Sequence, residues 1–434
     1  MIKISIPDNN IHERKYIIEI LLREYLGLEY DLQTRKSQDY VITLPNNNRF
    51  VIKDSFFSRF PEQRQYLNIK NLPDKVIKMQ NRFTGIDGII SLYGENSLSE
   101  DGERVKCDCD LFATCFFMLT RWEEYVISER DSHQRFPEHL SASVKYSFYD
   151  RPVVDEIASF IWTILEYLGL DQNRRKKQSR IIPTHDVDDT LLFKNMKSGL
   201  GIAYRQFGNG QFKNGFRTLY NKVLVHAGKK RDPFDTFDFF MQKSENMGAK
   251  SYFFFMAGGS SVYDGNYSLS EPFIRKLLNR IAERGHIIGF HPSYDSFENS
   301  DLFAREKHLL KDNTKSDIYC GRQHYLRFNV PETWRIWEEN SMCWDSSMGF
   351  YDRIGFRCGT CNEYSVYDII RQKKLVLKER PLIIMDGALQ NSREFPDVET
   401  AMHKIEDVAE AVRQNSGLMT FLWHNRSFET DFWK

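Results

Sequence analysis

The sequence predicts an α/β protein: an irregular (β/α) barrel of about seven parallel strands over residues 181–434, preceded by a smaller α+β domain over residues 1–170. Three observations predict it. Beyond Ile181, short apolar runs alternate with helix-spaced segments, the pattern of parallel strands joined by helical crossovers. Aspartate or histidine follows one run after another, as where strand ends converge on the mouth of a barrel. Between the two parts, residues 171–180 carry Arg174-Arg175-Lys176-Lys177 and break the periodicity, which marks a linker.

In the first part, Ile2-Lys3-Ile4-Ser5-Ile6 alternates as a strand, and Tyr16 to Leu26 has helical spacing. Val41 to Leu44 and Phe50 to Ile52 flank Asn46-Asn47-Asn48 as a hairpin. Leu111 to Ile127 and Val153 to Leu168 repeat apolar residues every three or four positions and predict two helices. Arg121, Trp122, Glu123 and Glu124 read as a packing face, and residues 1–170 show no chemical constellation.

In the second part, Ser251 to Met256 is a strand and Glu271 to Arg284 a helix, with Phe273, Ile274, Leu277, Leu278 and Ile281 as one stripe and Gly285 as its stop. His286 to Phe290 comes next as a strand, then a helix around Leu302 to Lys311, and Pro331 opens another helix to Asn340. Met342 to Met348, Leu382 to Asp386 and Leu418 to Trp423 are strands, with a helix from Val398 to Asn415 between the last two.

The chemistry begins at Arg180-Ile181-Ile182-Pro183-Thr184-His185-Asp186-Val187-Asp188-Asp189. Side chains alternate faces along a strand, so Asp186 and Asp188 point the same way. Two carboxylates that close repel unless they share a proton or face a cation. The competing reading is a polar strand end whose aspartates cap a helix. The ends of the other strands favour the cation: they carry His291, then His324, Asp345, Asp386 and His424, a metal-ligand vocabulary.

Composition narrows the class. Lys+Arg and Asp+Glu both total 60, which gives no argument for a nucleic-acid partner. The first residues lack the apolar core of a signal peptide, and no run approaches the ~18 to 20 apolar residues of a membrane span. A cytoplasmic location is therefore expected. The seven cysteines fit reduced thiols, and Cys107-x-Cys109 with Cys358-x-x-Cys361 makes a poor zinc site because the spacings differ.

Thr184-His185-Asp186-Val187-Asp188, His291-Pro292-Ser293-Tyr294-Asp295, Arg322-Gln323-His324-Tyr325, Trp344-Asp345-Ser346-Ser347 and Leu422-Trp423-His424 together resemble the polysaccharide deacetylases of the NodB-homology type, carbohydrate esterase family four. The resemblance covers roughly residues 180–430 and fits a divergent bacterial branch with an extra N-terminal domain. It implies a metal-dependent hydrolase, with zinc the first choice of divalent ion, that removes an acetyl group from an amino sugar in cell-surface glycan metabolism. By position, Asp186 would be the base, Asp188 and His291 metal ligands, His424 the acid, and Arg322 the residue that orients the base. Tyr325, Asp345, Arg357 and Trp423 are expected to face the substrate.

Three departures from that pattern leave alternatives. Val187 separates the two aspartates, so base and ligand are interchangeable. Asp295 stands where a second histidine is usual, and His324 where proline is usual; either completes the metal shell, with His324 preferred. The altered set also leaves open a metal other than zinc, a C–N hydrolase acting on a non-sugar substrate, or a catalytically degenerate barrel that binds a glycan or a partner. Finally, residues 191–231 carry nine Lys/Arg and no acid, with interspersed glycines and aromatic anchors. As a loop after the first strand, this segment would overhang the site as a lid for a phosphorylated donor or a peripheral contact to an anionic membrane, or else be a solvated insertion.

Overall fold

The structure, a computed structural model, describes residues 1–195, 197–391 and 395–433. Its first half contains β1 (Ile2–Ile6), β2 (Tyr30–Thr34), β3 (Asp39–Thr43), β4 (Arg49–Lys53), a short antiparallel pair β5 (Ile77–Met79) and β6 (Ile89–Ser91), then β7 (Gly94–Glu100) and β8 (Arg104–Cys109). Six of these form a mixed sheet in the order β2-β1-β3-β4-β8-β7. Its alternating Ile and aromatic residues meet the helices Leu111–Thr120 and Val153–Tyr167, as in Tyr40 against Phe112 and Phe50 against Phe160.

The helix predicted over Leu111 to Ile127 is two helices, Leu111–Thr120 and Trp122–Val126, broken at Arg121 with φ 51°. The break has a chemical cause. Arg121 is buried, and its guanidinium meets Glu123, Glu124, Ser141 and the Arg357 carbonyl; of these only Glu124, three residues on, is a neighbour that a continuous helix would also supply.

The second half holds β9 (Arg180–Val187), β10 (Tyr252–Phe255), β11 (Ile287–Phe290), β12 (Cys320–Gly321), β13 (Trp344–Asp345), β14 (Tyr364–Asp368), β15 (Lys373–Glu379), β16 (Ile384–Met385) and β17 (Leu418–Leu422). They form one sheet in the order β14-β15-β13-β12-β11-β10-β9-β17-β16. Every pairing is parallel except β14 with β15. Helices Pro272–Glu283, Ser300–Thr314, Glu332–Glu339 and Val398–Gln414 supply crossovers, and in the apolar stripe of the first of these Ile274, Leu277, Leu278 and Ile281 are buried while Phe273 is half-buried at its edge.

One expectation is corrected here. The sheet does not close into a barrel: β14 and β16 are its edges and do not pair. The two halves pack on each other. The β14–β15 hairpin lies against the first half, where Tyr16 stacks at 4.7 Å on Tyr367 and donates its hydroxyl to the Ser365 carbonyl. Tyr364 donates in the same way to the Leu119 carbonyl. One hydrophobic core consequently runs from Ile2 to Leu377. The first half covers an edge strand that would otherwise expose its backbone.

Candidate active site and metal centre

The C-terminal ends of the parallel strands deliver Asp186, Asp188, His291, His324, Tyr325 and His424 to one cavity of about 400 Å³. Period-two alternation sorts β9: Asp186 turns into the cavity, while His185 turns the other way and stacks on Phe240 and Phe253.

Arg322 lies behind Asp186 and is fully buried. Its guanidinium donates to Asp186 Oδ1 at 2.8 Å, to Thr184 Oγ1 at 3.0 Å, and to the carbonyl and hydroxyl of Ser346 at 2.8 and 3.0 Å. Four bonds leave that fork no freedom, so one oxygen of Asp186 is held and Oδ2 faces His291 Nε2 at 3.8 Å.

The two histidines next to Asp188 are oriented by backbone carbonyls. His291 Nδ1 donates to the Arg322 carbonyl at 2.6 Å, and His324 Nε2 donates to the Tyr263 carbonyl at 2.8 Å. A carbonyl can only accept, so in the neutral rings the opposite nitrogens carry lone pairs. Those nitrogens, His291 Nε2 and His324 Nδ1, face each other at 3.0 Å. They stand 3.4 and 3.7 Å from Asp188 Oδ1, which is buried and accepts no hydrogen bond. Three lone-pair donors converging with no hydrogen among them are stable around a cation. Among the described residues, Asp188, His291 and His324 form the one group able to hold a metal ion, their ligand atoms all within 4.8 Å of one another.

The electrostatics mark a cluster that calls for positive charge: burial opposes it, but Asp186 and Asp188 outweigh burial and raise His291, so a metal ion would take the place of a proton there. Burial acts to raise the Asp188 carboxyl, but His291, His424, His324 and Arg426 around it hold it well below the usual carboxylate range. Burial drives His324 down to about 4, which keeps it a neutral ligand at physiological pH. On the opposite side, burial opposes the charge on His424, but Asp386 outweighs it and lifts the imidazole to about 9. Asp386 is buried, receives His424 Nδ1–H and the His424 backbone N–H at 2.8 Å each, and is also bonded by Ser427. His424 Nε2 is thereby turned toward Asp188 Oδ2, 3.6 Å away.

Several groups at this mouth had no assigned role in the sequence. Asp386 stood in the strand-end series, but nothing local tied it to His424. Arg426 reaches Asp188 Oδ2 at 3.3 Å and Asp189 at 2.8 Å. Arg135 comes from the first half, braced by Asp131 and set 3.7 Å over the Tyr351 ring. His133 stacks 4.7 Å from Tyr325. The first half therefore builds one wall of the cavity, where the sequence showed no constellation.

Four predicted site residues lie elsewhere. Asp295 is 66% exposed and pairs with Arg327 at 3.4 Å, outside the ligand group. Asp345 is buried against Glu379; burial pushes it up to about 6 and also raises Glu379, and Ser347 donates to it while accepting from the Gln323 backbone. It braces the loop that carries Arg322 and His324 and does not face the cavity. Trp423 packs its ring on Phe428 and Trp433, and its carbonyl accepts from His185. Arg357 is buried on Glu124 at 2.8 and 3.1 Å and donates to the Gly349 carbonyl, so it joins the two halves and does not line the cavity. Removing it should leave a buried carboxylate partly unpaired. Arg357→Ala is expected to lower unfolding free energy by about 3 to 5 kcal/mol in denaturant titration. Cys107, Cys109, Cys358 and Cys361 are buried free thiols.

Residues 2–169 match a family of unknown function (DUF7033). No curated protein matches the chain. Among solved structures it is similar to one described as a polysaccharide deacetylase from Mycobacterium smegmatis, at 14% identity and a TM-score of 0.38, over 60% of this chain and 81% of that one. It is also similar to Puue allantoinase, at 11% identity and a TM-score of 0.37, over 59% of this chain and 81% of the other. Likeness at that level carries no mechanism, and the chemistry rests on the residues in the cavity.

Proposed function

We propose that the protein is a metal-dependent hydrolase that removes an acetyl group from an amino sugar in cell-surface glycan metabolism. One observation carries this reading: His291 Nε2, His324 Nδ1 and the unpartnered Asp188 Oδ1 converge beside a base clamped by Arg322 and across from a charged His424. Asp188, His291 and His324 would hold the ion, zinc being the first choice for a two-histidine, one-carboxylate set. Bound there, a divalent ion supplies Lewis acidity toward a carbonyl and eases deprotonation of water.

The protein groups supply the rest. Asp186, fixed by Arg322, takes the proton of the attacking water through its free oxygen. His424, kept protonated by Asp386, gives its Nε2 proton to the departing amine. Tyr325, Arg426 and Arg135 border the space in which the sugar would lie. The bond broken is the amide C–N, the products are acetate and a free amine, and no redox partner enters.

The direct test is acetate release from a panel of N-acetylated amino sugars, including nucleotide- and lipid-linked forms, by protein loaded with zinc. Release that stops on chelation and returns with metal supports the proposal. Metal-loaded protein that releases no acetate from any of them contradicts it.

A further inference from the structure

Helices Leu200–Gly208 and Phe212–His226 of the basic insertion pack on each other as a hairpin. An amphipathic helix ordinarily turns its apolar stripe inward. Here Phe212, Phe216, Tyr220 and Val223, spaced by four, four and three residues, form one stripe on the second helix, and each is 60% to 65% exposed. Tyr204 on the first helix is 82% exposed. Phe207 supports the row from beneath, 6.2 Å from Phe212 and 5.2 Å from Phe216. A row of large apolar side chains held outward is a surface built to be covered.

Charge indicates what covers it. The whole chain balances 60 cations with 60 acids, yet residues 191–231 hold nine cations and no acid. Lys194 and Arg231, at its two ends, pair with Glu271 and Asp238. Between them Arg205, Lys213, Arg217, Lys229 and Lys230 are exposed, interleaved with the aromatic row. A second copy of the chain would set this cationic surface against itself. Aromatic and basic residues sharing one exposed helical surface instead match the interface of a bilayer carrying anionic headgroups. A groove of about 560 Å³ joins the hairpin to the site, with Gln206, Asn214 and Arg217 on one side and His424 and Arg426 on the other.

We propose that the hairpin over residues 200–226 docks the protein on an anionic lipid bilayer, with the groove leading from the docked surface to the catalytic mouth. Docking does not depend on the hydrolase reading, because it is read as lipid binding rather than turnover.

The test is co-sedimentation of the full chain with vesicles of phosphatidylcholine alone, or of equal parts phosphatidylcholine and phosphatidylglycerol. The protein should bind the mixed vesicles at least about tenfold more tightly, and high salt should weaken that binding. Phe212→Ser/Phe216→Ser/Tyr220→Ser should weaken binding about tenfold while the protein stays folded and melts cooperatively, since most of each side chain is already in solvent. Lys213→Glu/Lys229→Glu/Lys230→Glu should abolish the preference for the anionic lipid. No binding to mixed vesicles, or binding indifferent to both variants, would overturn the proposal. So would a dimer in sedimentation velocity that the serine variant dissolves, which would assign the stripe to self-association.

Discussion

Replacing Asp188 with alanine should abolish metal binding and turnover together while the protein stays folded. Asp188 Oδ1 is the anionic member of the ligand group, and its distances of 3.4 and 3.7 Å to the two imidazole nitrogens place it at their junction. Without it, two neutral imidazoles remain, and affinity for a divalent ion should fall by at least the 10- to 100-fold typical of losing even an outer partner of a ligand. The fold should be retained at a lower melting temperature. Asp188 lies beyond the end of β9, but its carboxylate is held ionised by the cations around it, and its removal leaves Arg426 and the charged His424 without that partner. Calorimetric zinc titration and thermal melting separate these effects. Lost titration by a protein that still melts cooperatively is the expected pair.

His424→Ala should lower kcat by about 10²- to 10⁴-fold, the usual contribution of a positioned acid, with metal content retained. The pH profile gives a finer check. His424 is raised above its ordinary value to about 9, so it is protonated and able to donate at neutral pH, and loses that proton as pH rises through about 9. Activity should therefore fall on the alkaline side near that value. Asp386→Asn removes the carboxylate that raises it. The alkaline limb should then move down toward the ordinary imidazole pKa of about 6.5. An alkaline limb unmoved by Asp386→Asn would remove His424 from the acid's role.

The parallel strands and their connecting helices were legible because apolar runs and helical stripes are local signals. The strand-end series from Asp186 to His424 was legible for the same reason. The β14–β15 hairpin was not, because Tyr364–Asp368 is buried along its whole length with Ser365 and Asp368 among its residues, which leaves neither an apolar run nor a period-two alternation. Asp345, Arg357 and Trp423 show a sharper limit. A polar or aromatic residue near a strand end faces the mouth or the core according to register, and one step reverses the face. Asp345 and Arg357 found buried partners in Glu379 and Glu124, residues that sequence spacing does not connect to them. Arg135 enters the cavity from the other half of the chain and His133 packs on Tyr325 at its rim, a juxtaposition with no local signature.

Elemental analysis of the purified, zinc-reconstituted protein beside its His324→Ala and Asp295→Ala variants tests the central claim most directly. Near-stoichiometric metal in the wild type and in Asp295→Ala, with loss in His324→Ala, is the predicted result. Metal retained by His324→Ala and lost from Asp295→Ala, or absent from every form after reconstitution, would contradict the ligand group and the hydrolase built on it.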